Sequence, residues 1–244
     1  MSYYDEMGYP TLAVIESLMT IINSNYEEWH RENPDKNFTD FTYNPTKMSS
    51  SGGLYDLEKL NNISKDFISK MKADELVEDS YKWACQYSES LKNLIDRDRE
   101  YYRSILNIER DQEKPRKDYS SYSDIRSGIW YMYDELFKDF DYEFQKVTDK
   151  EEIKNILNTY FDKYYDVNDD KDTWFNKMKL MCDELGYASN IKEYKQDPSK
   201  FKGNVADVST VIRVGVTSKA NTPDLYQILK LLGKDRIMER ISKL

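Results

Sequence analysis

With 244 residues, 39% of them hydrophobic and 33% charged, the chain can bury a sizeable core and is too apolar and aromatic to remain disordered. A net charge of -9 argues against bulk nucleic-acid binding, and no apolar run approaches membrane-spanning length. Cys85 and Cys182, far apart, offer neither a disulfide framework nor a cysteine metal site, which suits a reducing cytoplasm.

Read in chain order, the hydrophobic pattern is helical. The N-terminus MSYYDEMGYP has neither the basic nor the apolar region of a signal peptide, so the Asn-x-Ser/Thr triplets at Asn37 and Asn62 are chance matches. Leu12, Ile15, Leu18, Met19 and Ile22 recur at the spacing of one helix face. Asn33-Pro34 and the stretch from Thr42 to Gly53 interrupt it, and Ile63, Phe67, Ile68 and Met71 resume it, followed by Leu76, Tyr81 and Cys85. A further stripe runs through Ile125, Ile129, Met132, Leu136 and Phe137.

Thr148 to Glu151 reads as a capping box that opens a helix carrying Ile153, Ile156, Leu157, Tyr160 and Phe161 on one side. Asp172 or Thr173 is expected to cap the next helix, whose stripe of Trp174, Met178, Met181, Cys182 and Leu185 stops at Gly186. Val205 to Val216 is rich in β-branched residues, and propensity alone allows a strand there. Thr222 is suited to an N-cap and Pro223 to the first helical position, ahead of Leu225, Ile228, Leu229 and Leu232. Gly233 ends that helix, and Ile237, Ile241 and Leu244 begin another. The chain therefore reads as mainly α, one compact body or two abutting ones.

Few stretches promise catalytic chemistry. KMSSSGG, residues 47–53, is close to the KMSKS loop with which class I aminoacyl-tRNA synthetases hold ATP phosphates. Such a loop needs a paired histidine element and a nucleotide-binding sheet, whereas the sole histidine, His30, stands in WHRENP; a turn before the helix near Asp56 is the simpler reading. Asp166 to Asp172 imitates a calcium loop, yet Lys171 and Lys177 occupy the positions that need glycine and a bidentate glutamate. No nucleophile elbow or metal-ligand set accompanies His30, and Cys85 and Cys182 read as packed on apolar helix faces.

Recognition chemistry has better support. From Phe201 onward eight lysines and arginines stand against four carboxylates, a basic end on an acidic body. Lys114-Pro115-Arg116-Lys117 sets three cations around a rigid turn, and Arg213 is embedded in an apolar run where its guanidinium must find an acceptor. A phosphate or a base edge would serve either, and so would an ordinary charged loop.

Taken together, the stretches resemble the C-terminal, non-catalytic half of bacterial glutamyl-tRNA synthetase, from about Tyr3 to Leu244. YYDEMGYPTLAVIESLMTIINSNYEEW is similar to the segment after that family's true KMSKS-type loop, and Leu54, Tyr55, Asp56, Lys59 and Leu60 match its apolar–Phe–Asp–x–x–Lys–Leu element. KPRKDYSSYSDI resembles an arginine-bearing segment leading into an aromatic helix. The most specific match is VIRVGVTSKANTPDLYQILKLLGKDRIMERI, with its arginine, Thr-Pro pair and Leu-Gly-Lys turn.

The resemblance implies a helical stem-contact segment over 1–70, followed by an anticodon-binding helical cage in two subdomains, 71–165 and 166–244. It makes Val208 to Val216 helical, places Arg213, Thr222 and Leu225 at the anticodon pocket, and gives Arg116 a base-reading role. Lys114, Lys117 and Lys219 become candidate phosphate contacts; Ser218 and Lys219 depart from the family's usual glycine and arginine. No catalytic residue and no metal ligand is expected in this chain. ATP and magnesium would be held by a catalytic half upstream of Met1-Ser2, which reads as a new start. Partners are then tRNA, foremost glutamate tRNA, and that catalytic half, with the chain a cytoplasmic monomer. A free-standing paralogue that binds tRNA or protein without catalysis, and a helical scaffold that has lost RNA, are the alternatives.

Overall fold

The computed structural model describes residues 2–34, 36–48, 55–138 and 141–244. Among them the regular structure is helical, and the only β-type contact is one parallel bridge between Ala188 and Asn204. The expectation of a mainly α chain holds. The helices divide into two compact units, Met1–Gly128 and Ile129–Leu244. The expected limits fall elsewhere, 70/71 at the end of a helix inside the first unit and 165/166 inside the second.

The first unit holds α1 (Ser2–Met7), α2 (Thr11–Ile22), α3 (Tyr26–Glu32), α4 (Leu57–Lys70), α5 (Ala73–Tyr87), α6 (Glu89–Arg97), α7 (Arg99–Leu106) and α8 (Ser123–Ile129), the last crossing its limit by one residue. Asp56 starts α4 by accepting the N–H groups of Glu58 at 2.8 Å and Lys59 at 3.2 Å, so the helix expected there is present. The stripe on α2 differs from expectation. Ala13, Val14 and Ser17 are buried, with Val14 packing against Tyr9 and Leu60, while Leu12 and Ile22 are exposed. Single capping residues turn the chain sharply from α5 to α7. Ser88 ends α5 and caps α6, and Asp98 caps α7 through the Tyr101 N–H at 2.8 Å. Cys85 is exposed, which corrects its expected packing; Cys182 is buried, and burial pushes its thiol pKa up to about 12.

The second unit holds α9 (Lys150–Thr159), α10 (Lys171–Leu185), α11 (Ile191–Gln196), α12 (Val205–Thr217), α13 (Leu225–Leu232) and α14 (Lys234–Ile241). α9 runs into a π-helical turn, Tyr160–Tyr164, that buries Tyr160 and Phe161. α12 is helical throughout, against its strand propensity. The sign follows from magnitudes: propensities differ by about 1 kcal/mol, whereas burying a valine or isoleucine side chain is worth about 1.5–3 kcal/mol. Val208, Val211, Ile212, Val214 and Val216 are all buried on this helix. Gly215 lets α9 approach, because a Cβ there would lie 3.0 Å from Leu157 Cδ2. Gly186 takes a left-handed φ of 81° and ends α10 as expected.

Three helix starts differ from the sequence reading by one to three residues. Asp149, not Thr148, caps α9 through the Glu151 N–H at 3.2 Å. Asp170, rather than Asp172 or Thr173, caps α10 through the Thr173 N–H at 2.7 Å. Asp224, not Thr222, caps α13 through the Gln227 N–H at 2.9 Å, so Pro223 precedes the cap instead of opening the helix. In each case an aspartate of the same stretch accepts an amide of the helix's first turn, where a carboxylate is a favoured partner.

Candidate functional site

The end of α12 and the loop to α13 gather most of the singled-out residues. α12 stops at Ser218, which takes a left-handed φ of 58°, and its N–H donates to the Val214 carbonyl at 2.7 Å. The Thr217 hydroxyl folds back onto the Arg213 carbonyl at 2.7 Å, and Ser218 Oγ donates to the Asp141 carbonyl at 3.1 Å. From this platform Arg213 reaches across the loop. Its Nη1 donates to the Pro223 carbonyl at 2.7 Å, to the Thr222 carbonyl at 3.2 Å and to the Thr222 hydroxyl. The clamp explains the displaced cap: the hydroxyl that would have met the helix amides is taken by a guanidinium. Thr222 and Leu225 are both buried, Leu225 on the core side of α13, and Arg213 is half-buried.

The platform itself is tied down from α14. Arg240, 3% exposed, donates from Nη1 to the carbonyls of Val216 and Tyr131, both at 2.7 Å, and from Nη2 to Asp134 at 2.6 Å. Its guanidinium lies 4.0 Å from the centre of the Phe137 ring, and Phe137 stacks on Trp130 with centroids 5.7 Å apart. Arg236 binds the other oxygen of Asp134 at 2.7 Å. These two arginines hold the Asp134 carboxyl below the usual aspartate range, against the burial that would raise it. Sequence reasoning missed this network. Its signal was present in the basic C-terminal count, but nothing in the spacing links Arg240 to Asp134.

Lys219 directs its ammonium over Tyr131, 5.6 Å from the ring centre, and Trp130, at 6.0 Å. The remaining candidates belong to the first unit. Arg116 grips Asp118 with Nε and Nη2, the shorter contact being 2.8 Å, and lies 3.9 Å from Glu109. Lys117 pairs with Asp66 at 2.6 Å, and Lys114 is exposed. Arg116 and Arg213 thus stand in different units, each in a local clamp.

The bland readings can be followed as well. Lys47 closes a short turn, Pro45–Lys47, and Ser49–Leu54 lie outside the described residues, so most of KMSSSGG is among them. In the calcium-like loop Asp166 accepts the Asn168 N–H at 2.9 Å, Asp169 pairs with Lys177 at 2.6 Å, and Asp170 caps α10. His30 stacks on Tyr26 at 5.9 Å and lies 3.9 Å from Glu16. Among the described residues no group of three His, Cys, Asp or Glu side chains gathers as a metal site. Nor is any helix among them long and apolar enough to cross a membrane.

Known proteins match this chain in sequence and in fold. The family model of an anticodon binding domain matches residues 192–244, the stretch that carries Arg213, Lys219, Thr222 and Leu225. Over the whole length the chain is 44% identical to a glutamate–tRNA ligase of Clostridium perfringens strain SM101, covering 100% of this chain and 44% of the relative. A glutamate–tRNA ligase of Acetivibrio thermocellus is 42% identical over the same share of both chains. The fold is similar to a crystal structure of glutamate–tRNA synthetase from Elizabethkingia anophelis, with a TM-score of 0.62 at 12% identity, over 98% of this chain and 41% of that one. The chain therefore spans under half the length of the curated relatives it matches.

Proposed function

We propose, starting from the homology of this chain to the C-terminal half of bacterial glutamate–tRNA ligases, that it is a tRNA anticodon-recognition module. The observation that carries the reading is the Arg213 clamp on Thr222 and Pro223, inside the segment that the anticodon-binding family matches. The clamp gives the α12–α13 loop one shape in the free chain. Single-stranded anticodon bases are splayed out and read on their polar edges, so a loop set in advance lowers the ordering cost of contact.

Roles follow from chemistry. Arg213 supplies a planar guanidinium that holds the loop through Nη1 and so sets the shape that an RNA edge meets. Thr222 and Leu225 shape the pocket wall rather than its surface, because both are buried. Arg116 reads a base or phosphate by exchanging Asp118 for the RNA, and Lys114 and Lys117 steer the backbone. In this reading the tRNA is that for glutamate, the chain is a cytoplasmic monomer, and it works with a catalytic half. ATP, magnesium and glutamate are handled by that half.

The test is binding of the purified chain to glutamate tRNA and to the same tRNA with an altered anticodon, across a salt series. Preference for the native anticodon, with affinity falling as salt rises, is the expected outcome. Equal binding to every anticodon would reduce the module to a backbone contact, and no binding at low salt would remove the reading for this chain alone.

A further inference from the structure

Lys219 differs from the ion-paired cations of its unit. Lys171, Lys177, Lys202, Arg236 and Arg240 each meet a carboxylate. Lys219 is half-buried, yet among the described residues none of its three N–H donors meets an acceptor and no carboxylate lies within ion-pair distance. Its neighbours are two ring faces, Tyr131 and Trp130. Each ring offers roughly 0.5–1 kcal/mol to a cation near the surface, and the C-terminal end of α12 adds a similar attraction. Those contributions hold the ammonium in place without neutralising it. Burial accordingly pulls its pKa below the usual lysine range.

The holder is built from the network already described. Phe137 stacks on Trp130, Arg240 lies against Phe137, and Arg240 also fixes the carbonyls of Tyr131 and Val216. Both rings beneath Lys219 are therefore positioned by the same arginine that ties down the end of α12. A partly desolvated cation held over two rings, with no carboxylate beside it among the described residues, can still take an anion.

We infer that Lys219, seated on Trp130 and Tyr131, is an anion subsite that takes a phosphodiester oxygen of the RNA beside the Arg213–Thr222 loop. The inference rests on the proposed tRNA reading for the source of the phosphate, and on this geometry alone for the chemistry. Binding brings an oxygen to the three free donors and restores the interactions that the ammonium lost on leaving water. Contact with phosphate carries no sequence information, so this subsite adds affinity equally to every anticodon.

The experiment compares the full chain with Lys219→Gln and Lys219→Arg, using an anticodon stem–loop in a salt series and, separately, inorganic phosphate followed by the NMR signal of the Lys219 side chain. The expected result for Lys219→Gln is a salt slope shallower by about 0.7, the share of one phosphate on single-stranded RNA. Its loss of affinity should be the same for native and altered anticodons, and Lys219→Arg should restore the slope. An unchanged thermal midpoint for Lys219→Gln separates this from loss of fold; if the midpoint falls, the slope is judged on Lys219→Arg against a Lys219→Met control measured below its own midpoint. An unchanged slope in a chain that binds the stem–loop overturns the subsite. If the wild-type chain binds no stem–loop, the tRNA reading fails separately, and phosphate decides: a shift of the Lys219 signal at millimolar phosphate upholds an anion site, and no shift overturns it.

Discussion

Two arginines do the same work in the two units with different partners. In the first unit Arg110 holds the end of α4 through the carbonyls of Ile68 at 2.7 Å and Met71 at 3.1 Å, and binds the Leu106 carbonyl at 2.9 Å. In the second, Arg240 holds the end of α12 through the Val216 carbonyl and adds Tyr131. Both donate to carbonyls at a helix C-terminal end, where a cation is favoured. Only Arg240 also has a carboxylate, Asp134. Burial, only partly offset by the field of Tyr119, Asp118 and Asp111, pulls the Arg110 pKa below the usual arginine range. The difference teaches how each unit should fail. One depends on neutral acceptors that do not titrate, the other on an acid that does.

The comparison is broken most severely by removing the cations. Arg240→Ala leaves two carbonyls and one oxygen of Asp134 without their donor, Arg236 keeping the other oxygen, and should destabilise the second unit by about 3 kcal/mol. Arg110→Ala, which strands only carbonyls, should cost the first unit about 2 kcal/mol. Urea unfolding, with hydrogen exchange at α12 and α4 to localise each loss, checks both; equal losses would mean that the carboxylate adds nothing.

A second test moves from stability to recognition. Arg213→Ala and Arg116→Ala should each weaken anticodon stem–loop binding by about 1–3 kcal/mol and relax anticodon preference if the residue meets a base. Uniform loss across anticodons would assign it to the backbone. Arg213→Ala should in addition speed amide exchange in the 218–224 loop, whereas Arg116→Ala should leave that loop unchanged.

Acid sharpens the contrast through two carboxyls of opposite sign. Asp134 has a lowered pKa in the fold, so its contribution is present above the unfolded value and is lost as pH falls below about 4. Asp134→Asn should flatten that part of the acid-unfolding curve for α12. Glu16 behaves the other way. Desolvation raises its pKa, outweighing His30 and Lys70, so the folded state gains protons and relative stability as pH falls through the raised value towards the ordinary glutamate range. Glu16→Gln should stabilise the first unit at neutral pH and lose that advantage in acid. The smallest effect is expected at Ser218, whose left-handed backbone suits glycine: Ser218→Gly should raise the midpoint by the equivalent of about 0.5 kcal/mol, after losing the bond to Asp141.

Much of the fold was legible because its signal is local. The stripe Leu225, Ile228, Leu229 and Leu232, the stop at Gly186 and the start at Asp56 needed only spacing and capping chemistry. Cap positions were less legible, because adjacent Thr, Asp and Pro residues compete and a distant group can decide. Thr222 loses the cap to Asp224 once Arg213, nine positions away, claims its hydroxyl. On α12, β-branched valines concealed a helix that burial enforces, and family resemblance supplied what propensity could not. The α2 stripe misled in the opposite direction, since Leu12 and Ile22 are apolar but exposed. Within the site, the Arg213–Thr222 pair lies on one stretch and could be named together. The Arg240–Asp134 tie joins residues about a hundred positions apart, and no periodicity connects them.

Gly233, which separates α13 from α14, has φ 74° and ψ 164°, and a Cβ built on it would meet nothing within 4 Å. The constraint at this junction is therefore one of handedness and not of room. Any L-residue is penalised there by its own backbone, while a residue of opposite chirality would find the conformation natural. Gly233→Ala should therefore cost about 1–3 kcal/mol through its own backbone, with no side-chain clash to add to it.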